Sequence, residues 1–283
     1  MTTASIRKVR AGIAGQPTTD GAGVNLTRFI GSPELSDLDP FLLLDEFRST
    51  DSSDYQAGFP NHPHRGFETV TYLKAGRFRH RDSQGNQGLL TPGGVQWMTA
   101  GRGIIHSEMP ETTEGLVWGY QLWINLPAEH KFTAPRYQDI PPEQVPEVTG
   151  DGVKVRLITG DYGGQSGPAK TWISTLYFDI ELEPGAVFTH SVPPNLSGFV
   201  HLYTGSLTAG PETESQEAQA SQLLVLGEGD TVRLQGGPEG AGCLLVAGER
   251  LDEPIARAGP FVLNTREQLE QAFRDYQAGV LDS

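Results

Sequence analysis

Short runs of apolar and polar residues alternate along the first half of the chain, and turn-forming residues interrupt them at regular intervals. Between residues 67 and 126 the runs end at turn signals such as residues 83–86 (SQGN) and residues 91–94 (TPGG). Turn signals that recur about every 8 to 12 residues are typical of a β-sandwich or a β-barrel. The pattern therefore predicts an all-β fold.

The second half of the chain repeats this pattern imperfectly. Residues 185–190 (GAVFTH) resemble the approach to His62, but the residue two positions further on is Val192. Residues 242–244 (GCL), which we align with the region of His106, contain no histidine. We therefore expect two tandem β-barrels, with a functional site in the first barrel alone.

The segment between the two halves is rich in proline, which favours extended backbone. We interpret residues 140–152 (IPPEQVPEVTGDG) as a linker between an N-terminal barrel at residues 1–139 and a C-terminal barrel at residues 153–283. The second barrel is expected to end in a helix, because Thr265 can cap it and Gln268 can complete a capping box. Apolar residues then follow at helical spacing: Leu269, Ala272, Phe273 and Tyr276.

Composition and charge narrow the class of protein. The chain has 283 residues, a formal net charge of −14, 35 glycines and 20 prolines, which fits many tight turns between short strands. The negative charge argues against direct nucleic-acid binding, because such a surface repels phosphates. Cys243 is the only cysteine, so an internal disulfide is excluded. The longest apolar runs, such as residues 41–44, are too short to cross a bilayer, and no signal-peptide core is present. These features predict a cytoplasmic protein without membrane contact.

Two pairs of metal-ligand residues share one spacing. His62 and His64 are separated by a single residue, and so are His106 and Glu108 further along the chain. Side chains at alternate positions of a strand point to the same side, so each pair can direct two ligands at one point. Three imidazoles and a carboxylate suit a divalent transition metal and leave one or two positions for exchangeable ligands. The alternative is a structural zinc, although such sites are more often closed and rich in sulfur.

The segments around these residues resemble the two signature segments of the pirin family, within the cupin superfamily. They are residues 58–70 (GFPNHPHRGFETV) and residues 97–110 (WMTAGRGIIHSEMP). Residues 38–47 (LDPFLLLDEF), 121–127 (QLWINLP) and 259–265 (GPFVLNT) resemble further motifs of that family. The resemblance implies a bicupin, which consists of two tandem jelly-roll-like barrels with one mononuclear metal in the N-terminal barrel.

The resemblance also implies a ligand set and an activity. The ligands would be His62, His64, His106 and Glu108, with iron(II) as the first choice and nickel, copper, manganese, cobalt or zinc as alternatives. Several pirin-like proteins resemble quercetin 2,3-dioxygenases, which open the heterocyclic ring of flavonols with O2 and release carbon monoxide. In that hypothesis Glu108 is both a ligand and the catalytic base. The alternative hypothesis is a redox-sensitive regulator, a transcriptional co-regulator or enzyme modulator that acts through a protein partner.

Other polar and aromatic residues receive less specific interpretations. We expect Glu68 to lie outside the ligand set, behind the ligands or in strand pairing. Arg65 and Arg102 are interpreted as structural residues held by carboxylates, with contact to an anionic substrate as the alternative. Core packing is expected for Phe59, Trp97 and Met98, with lining of a pocket for an aromatic substrate as the alternative. Exposed or core positions without ligand function are expected for His80, His130, His190 and His201.

Overall fold

The computed structural model describes residues 5–282, which form mainly β-strands. In chain order the strands are β1 (Val9–Ala14), β2 (Gln16–Asp20), β3 (Val24–Ile30), β4 (Phe41–Ser49), β5 (Phe59–His64), β6 (Phe67–Ala75), β7 (Phe78–Asp82), β8 (Gln87–Leu90), β9 (Val95–Thr99), β10 (Ile104–Pro110), β11 (Val117–Asn125), β12 (Arg136–Ile140), β13 (Glu147–Gly150), β14 (Val153–Thr159), β15 (Asp161–Tyr162), β16 (Gln165–Ser166), β17 (Thr175–Leu182), β18 (Val187–Ser191), β19 (Leu196–Ala209), β20 (Gln216–Gln219), β21 (Gln222–Leu226), β22 (Thr231–Glu249), β23 (Ala256–Ala258) and β24 (Phe261–Leu263). Helical segments are the α-helix α1 (Arg266–Gln277) and the single 3₁₀ turns Ser52–Asp54, Ala128–His130, Pro142–Gln144 and Glu212–Glu214. The predicted all-β class with a C-terminal helix is confirmed.

The chain forms two compact units, and each unit combines segments that are distant in sequence. The first unit contains Gln16–Gln144 and the stretch from Leu251 onward, and the second contains the stretch up to Gly15 and Val145–Arg250. The structure thus divides the chain differently from the predicted contiguous domains at residues 1–139 and 153–283. The physical reason is pairing between distant segments: β1 pairs with β21, and Phe261 on β24 forms a β-bridge with Arg65, which directly follows β5.

The segment predicted as a linker is partly structured. The boundary between the units, at Gln144 and Val145, falls within residues 140–152. However, β13 occupies the end of that segment and pairs antiparallel with β14. Pro146 is the last proline of the segment, and the residues after it have the backbone N–H groups that strand pairing requires.

The first unit contains two antiparallel sheets and a small hairpin. The larger sheet has seven strands in the order β12-β9-β6-β11-β4-β3-β2, and the smaller has four in the order β5-β10-β7-β8. Strands β6 and β9 in the larger sheet are buried over seven and five consecutive residues, respectively, so both faces of these strands are covered. The smaller sheet carries the three candidate histidines on β5 and β10.

The second unit is dominated by one nine-stranded sheet. Its order is β1-β21-β19-β22-β17-β14-β13, with β18 on β22 and β20 on β19, and β15 and β16 form a separate hairpin. Its core is a continuous apolar cluster with members such as Phe178, Phe188 and Leu245. The start of β22 pairs with β18, and it places Val232 opposite His190. The segment that corresponds to β10 is therefore the start of β22, which corrects the alignment of residues 242–244 with His106.

The C-terminal helix begins as the sequence predicts. Thr265 caps it, accepting a hydrogen bond from the Gln268 backbone N–H, while the Gln268 side chain accepts from the cap's own N–H. Ala272 is buried with Phe261 in a cluster that Leu269 extends. None of the helices within residues 5–282 is both long enough and apolar enough to span a membrane.

A buried lysine links the C-terminal segment to the rest of the first unit. Lys131 is 0% exposed, and its ammonium donates to the backbone oxygens of Gly66 (2.9 Å) and Val262 (3.0 Å) and to Asn125 Oδ1 (2.7 Å). Gly66 itself adopts φ +91°, and a Cβ there would lie 2.0 Å from the Val262 oxygen. The loop directly after His64 is therefore held against β24 at a distance that only glycine allows.

Candidate metal centre

Pairing between β5 and β10 brings three histidines together. His106 lies directly opposite His62, and His64 follows two residues later on the same face. Directly opposed residues in an antiparallel pair project to the same side of the sheet. The ring centroids are 4.4 Å apart for His62 and His106, 4.7 Å for His62 and His64, and 5.0 Å for His64 and His106.

The ligand nitrogens of these histidines have a spacing that suits one ion. Each histidine offers one nitrogen, and the three nitrogens lie within 4.8 Å of one another. Bonds of roughly 2.1 Å place two ligands of one metal about 3 to 4 Å apart, so a small inward adjustment completes the site. Within residues 5–282 this is the one group of three or more such side chains.

Hydrogen bonding and burial prepare the imidazoles for a metal. His62 Nδ1 lies 2.8 Å from the Pro60 carbonyl oxygen, so it donates there and leaves Nε2 as a free ligand atom. His106 is 0% exposed, and neither of its ring nitrogens has a hydrogen-bond partner among the described residues. His64 Nδ1 is also buried without a partner. Unpaired buried nitrogens are costly, and a bound ion would satisfy them, so these residues fit a metal.

Burial also keeps two of the three rings neutral. It lowers the pKa of His106 and of His64 well below the usual 6.5, and repulsion from the neighbouring imidazoles lowers both further. Neutral imidazole is the form that binds metal ions. The site is therefore ready to bind a cation without first losing protons from these two rings.

Glu108 lies on the same strand but is held by other residues. It is 6% exposed, and it does not belong to the group of ligand atoms within 4.8 Å. Its Oε1 accepts a hydrogen bond from Thr71 Oγ1 at 2.8 Å, and its Oε2 accepts from Gln121 Nε2 at 3.3 Å. Thr71 Oγ1 is also 2.6 Å from Gln121 Oε1, so its single proton is shared between that oxygen and Glu108 Oε1. The structure thus brings three predicted ligands together and holds the fourth beside them through two residues that the sequence analysis did not identify.

A cavity of about 580 Å³ opens onto His62, His64 and Glu108. Its volume lies within the roughly 300 to 1,000 Å³ that small-molecule sites occupy. Much of its wall is apolar or aromatic, contributed by Leu26, Leu43, Phe47, Phe59 and Trp123. Phe59 lines this cavity, which was the alternative interpretation, and also packs against a cluster of core residues, whereas Trp97 and Met98 are fully buried as expected.

A charged wall completes the cavity. Arg28 donates to both carboxylate oxygens of Asp45, at 2.8 and 2.7 Å, and to Asp20 at 2.8 Å. Burial raises the pKa of Asp45 to about 6, although Arg28 acts in the opposite direction. Arg257 also lines the cavity. No feature of the sequence pattern identified these four residues as a group.

The remaining polar candidates have structural partners. Glu68 accepts a hydrogen bond from Thr99 Oγ1 at 2.6 Å across β6 and β9, and burial raises its pKa to about 7. Arg65 donates to the Arg102 carbonyl and forms an ion pair with Asp275 at 2.7 Å. These contacts agree with the roles expected for Glu68 and Arg65.

One histidine interaction was not anticipated. His80 is 3% exposed, its Nε2 lies 3.1 Å from Asp139, and its ring stacks on Tyr137 at 5.4 Å. Because His80 lies opposite Glu108 in the pairing of β7 with β10, it belongs to the same sheet as the three histidines. The partner Asp139 is on β12, too distant in sequence for local spacing to reveal it.

Comparison with known proteins identifies both halves of the chain. Residues 23–124 match the family model described as Pirin, and residues 177–282 match the model described as Pirin C-terminal cupin domain. A pirin-like protein of Caulobacter vibrioides is 47% identical over 277 residues, covering 97% of this chain and 99% of the relative. Human pirin is 42% identical over 275 residues, covering 96% and 93%. A crystal structure of quercetin 2,3-dioxygenase from Acinetobacter baumannii superimposes with a TM-score of 0.89 at 32% identity and covers 99% of both chains.

Proposed function

The chain belongs to the pirin family of two-domain cupin proteins, and from that premise we propose that it is a metal-dependent dioxygenase. Its substrates would be a flavonol-like aromatic molecule and O2, and its reaction would open the heterocyclic ring and release carbon monoxide. The observation that carries this proposal is the group of three histidines: His106 is buried with both ring nitrogens unpaired, and His62 and His64 line a cavity large enough for such a molecule. The name of the solved quercetin 2,3-dioxygenase at 32% identity supports the choice of substrate class.

The proposed ligand set consists of His62, His64 and His106, with Glu108 as a fourth ligand after a short movement of its side chain. Iron(II) is the metal we favour, because cleavage by O2 requires electron transfer and zinc does not change oxidation state. Nickel, copper, manganese and cobalt also bind imidazole or carboxylate ligands and are the alternatives. When bound, the ion would supply Lewis acidity towards a substrate hydroxyl and a redox-active centre for O2.

Glu108 has a second proposed role as the base. The substrate hydroxyl must lose its proton, and a carboxylate within hydrogen-bond reach can accept it. Thr71 holds Oε1 at 2.8 Å, whereas the bond from Gln121 to Oε2 is longer, at 3.3 Å. Oε2 is therefore the oxygen that we expect to accept the proton from the substrate.

The cavity walls would orient the substrate and limit access of water. Trp123 and Phe59 present aromatic side chains beside the histidines, and the ring of Trp123 is 5.3 Å from that of His64. Aromatic groups stack favourably against a planar ligand. Replacing water by these side chains also strengthens the hydrogen bonds made to Glu108.

Flavonol turnover tests the proposal directly. Protein loaded with iron(II) under nitrogen is mixed with quercetin and then with air, and the loss of the flavonol absorption band and the release of carbon monoxide are measured. We expect both signals in the wild type and neither in His62→Ala. No loss of the band in the wild type, or undiminished loss in His62→Ala, would refute the dioxygenase.

A further inference from the structure

The charged wall of the cavity contains two arginines with different surroundings. Arg28 is committed to the two carboxylates of Asp45 and Asp20, with three hydrogen bonds of 2.7 to 2.8 Å. These three residues satisfy one another and form a fixed part of the wall. Three of the five N–H groups of Arg28 are therefore already used, and two carboxylates balance its charge.

Arg257 is different. Its single hydrogen bond joins one terminal N–H to the Leu42 carbonyl oxygen at 2.8 Å. Its other N–H groups have no partner among residues 5–282, and the side chain faces the cavity. A guanidinium has five N–H donors in a planar fork, so most of its hydrogen-bonding capacity is open.

The position of Arg257 relative to the histidines is fixed by Trp123. The guanidinium carbon lies 5.1 Å from the centre of the Trp123 ring, and that ring lies 5.3 Å from the ring of His64. The cation–π contact holds the guanidinium against the same wall that leads to the histidines. A planar molecule at the histidines, lying along Trp123, would reach Arg257 with its far end.

The charge and the free N–H groups of Arg257 indicate which chemical group of a ligand would bind beside it. Partial burial lowers its pKa, yet a guanidinium stays charged at any physiological pH. A partly desolvated cation with free, parallel N–H groups binds a carboxylate or another flat oxyanion through two hydrogen bonds. The apolar side chains of Leu26 and Leu43 suit the aromatic body of the same molecule.

We propose that Arg257 determines substrate specificity, and that the preferred substrate is an aromatic molecule with an anionic oxygen group at the end remote from the histidines. This inference rests on the proposed function, because it assumes that the substrate's other end meets the metal centre. It predicts that a plain flavonol is a poorer substrate than one that carries an anionic group.

The test compares quercetin with a sulfonated quercetin, which differs by one anionic group on the pendant ring. Binding is measured by quenching of tryptophan fluorescence in nickel-loaded protein under nitrogen, so that no turnover is needed. Hydrogen bonds to a charged group strengthen binding enough to give a preference of about 10- to 100-fold for the sulfonated compound. In Arg257→Met this preference should disappear, and in Arg257→Lys a part of it should return.

Arg266→Met is the matched control, because that arginine lies on α1 with its side chain 86% exposed. It should keep the full preference of the wild type. A kinetic measurement with iron-loaded protein should show the same change as a rise in KM for the sulfonated compound relative to quercetin in Arg257→Met.

Two results would overturn the inference, and they differ in what they mean. If the wild type binds and cleaves both compounds equally well, or if Arg257→Met keeps the preference for the sulfonated compound, then Arg257 does not recognise an anionic group. The dioxygenase proposal stands in either case. If the wild type neither binds nor cleaves either compound, both proposals fail.

Discussion

Replacing Thr71 by valine should impair Glu108 as the catalytic base while the protein keeps its bound metal. The substitution keeps the branched shape but removes the hydroxyl that lies 2.8 Å from Glu108 Oε1 and 2.6 Å from Gln121 Oε1, and thus links the two side chains. Thr71 is 3% exposed, so water cannot readily replace the lost donor. A hydrogen bond to a charged group contributes about 1.5 to 3 kcal/mol, and a loss of that size in the transition state lowers kcat about 10- to 100-fold.

The assay separates an effect on Glu108 from an effect on the metal. Flavonol loss is followed at saturating quercetin in iron-loaded protein, and the bound metal of the same samples is measured by elemental analysis. We expect Thr71→Val to keep its metal, because His62, His64 and His106 are unchanged, while kcat falls by the factor given above. Thr71→Ser retains the hydroxyl and should recover most of the activity.

The contrary result has a clear meaning. If Thr71→Val binds metal and turns over quercetin at the wild-type rate, then Thr71 does not orient Glu108. The assignment of Glu108 as the base would then lose its structural support. If Thr71→Ser were as impaired as Thr71→Val, the methyl group rather than the hydroxyl would be the important feature.

Two further predictions concern the loop that follows the histidine pair. Burial lowers the pKa of Lys131 to about 7, below the roughly 10.4 of an unfolded lysine, so the unfolded state binds more protons between these values. The unfolding free energy of the wild type, relative to that of Lys131→Met, should therefore rise between about pH 7 and pH 10, by at most about 1.4 kcal/mol per pH unit. Urea denaturation of both proteins at pH 7 and pH 9 measures this difference. If the difference is the same at both pH values, the three oxygen acceptors keep the pKa of Lys131 at its usual value. Gly66→Ala would place a Cβ 2.0 Å from the Val262 oxygen at a φ of +91°. We therefore expect its free energy of unfolding to fall by more than about 2 kcal/mol in the same assay. An unchanged free energy of unfolding would contradict the close approach of Gly66 to Val262.

The sequence predicted the elements whose signals are local. The alternation around His62 and His64 indicated a strand with both rings on one face, and β5 has that arrangement. The capping box at Thr265 and Gln268 likewise needs only four residues, and α1 begins there. Such features follow from the backbone of a single strand or helix, so spacing alone reveals them.

Features that depend on pairing between distant segments could not be predicted in this way. Nothing near β1 indicates that it pairs with β21, or that β23, β24 and α1 join the first unit. The same applies to Thr71 and Gln121, which lie opposite each other on β6 and β11 and together hold Glu108. In the sequence each is a polar residue on a strand that carries other polar residues, such as Glu68 and Asn125, so the signal becomes specific only after the strands are paired.

Some expectations drawn from the sequence and its resemblance stay predictions. They include iron as the metal, a cytoplasmic location, and the alternative role as a redox-sensitive regulator with a protein partner. The family membership and the bicupin fold are confirmed by the matches over both halves of the chain.

The central claim is that His62, His64 and His106 together hold one metal ion. The most direct measurement is elemental analysis of protein that has been equilibrated with nickel or iron(II) and freed of excess metal, for the wild type and for His106→Gln. Loss of one ligand commonly weakens binding strongly, and even partners behind the ligands contribute about 10- to 100-fold. We predict close to one ion per chain in the wild type and almost none in His106→Gln. Equal metal content in the two proteins would show that the ion binds elsewhere and would contradict the account.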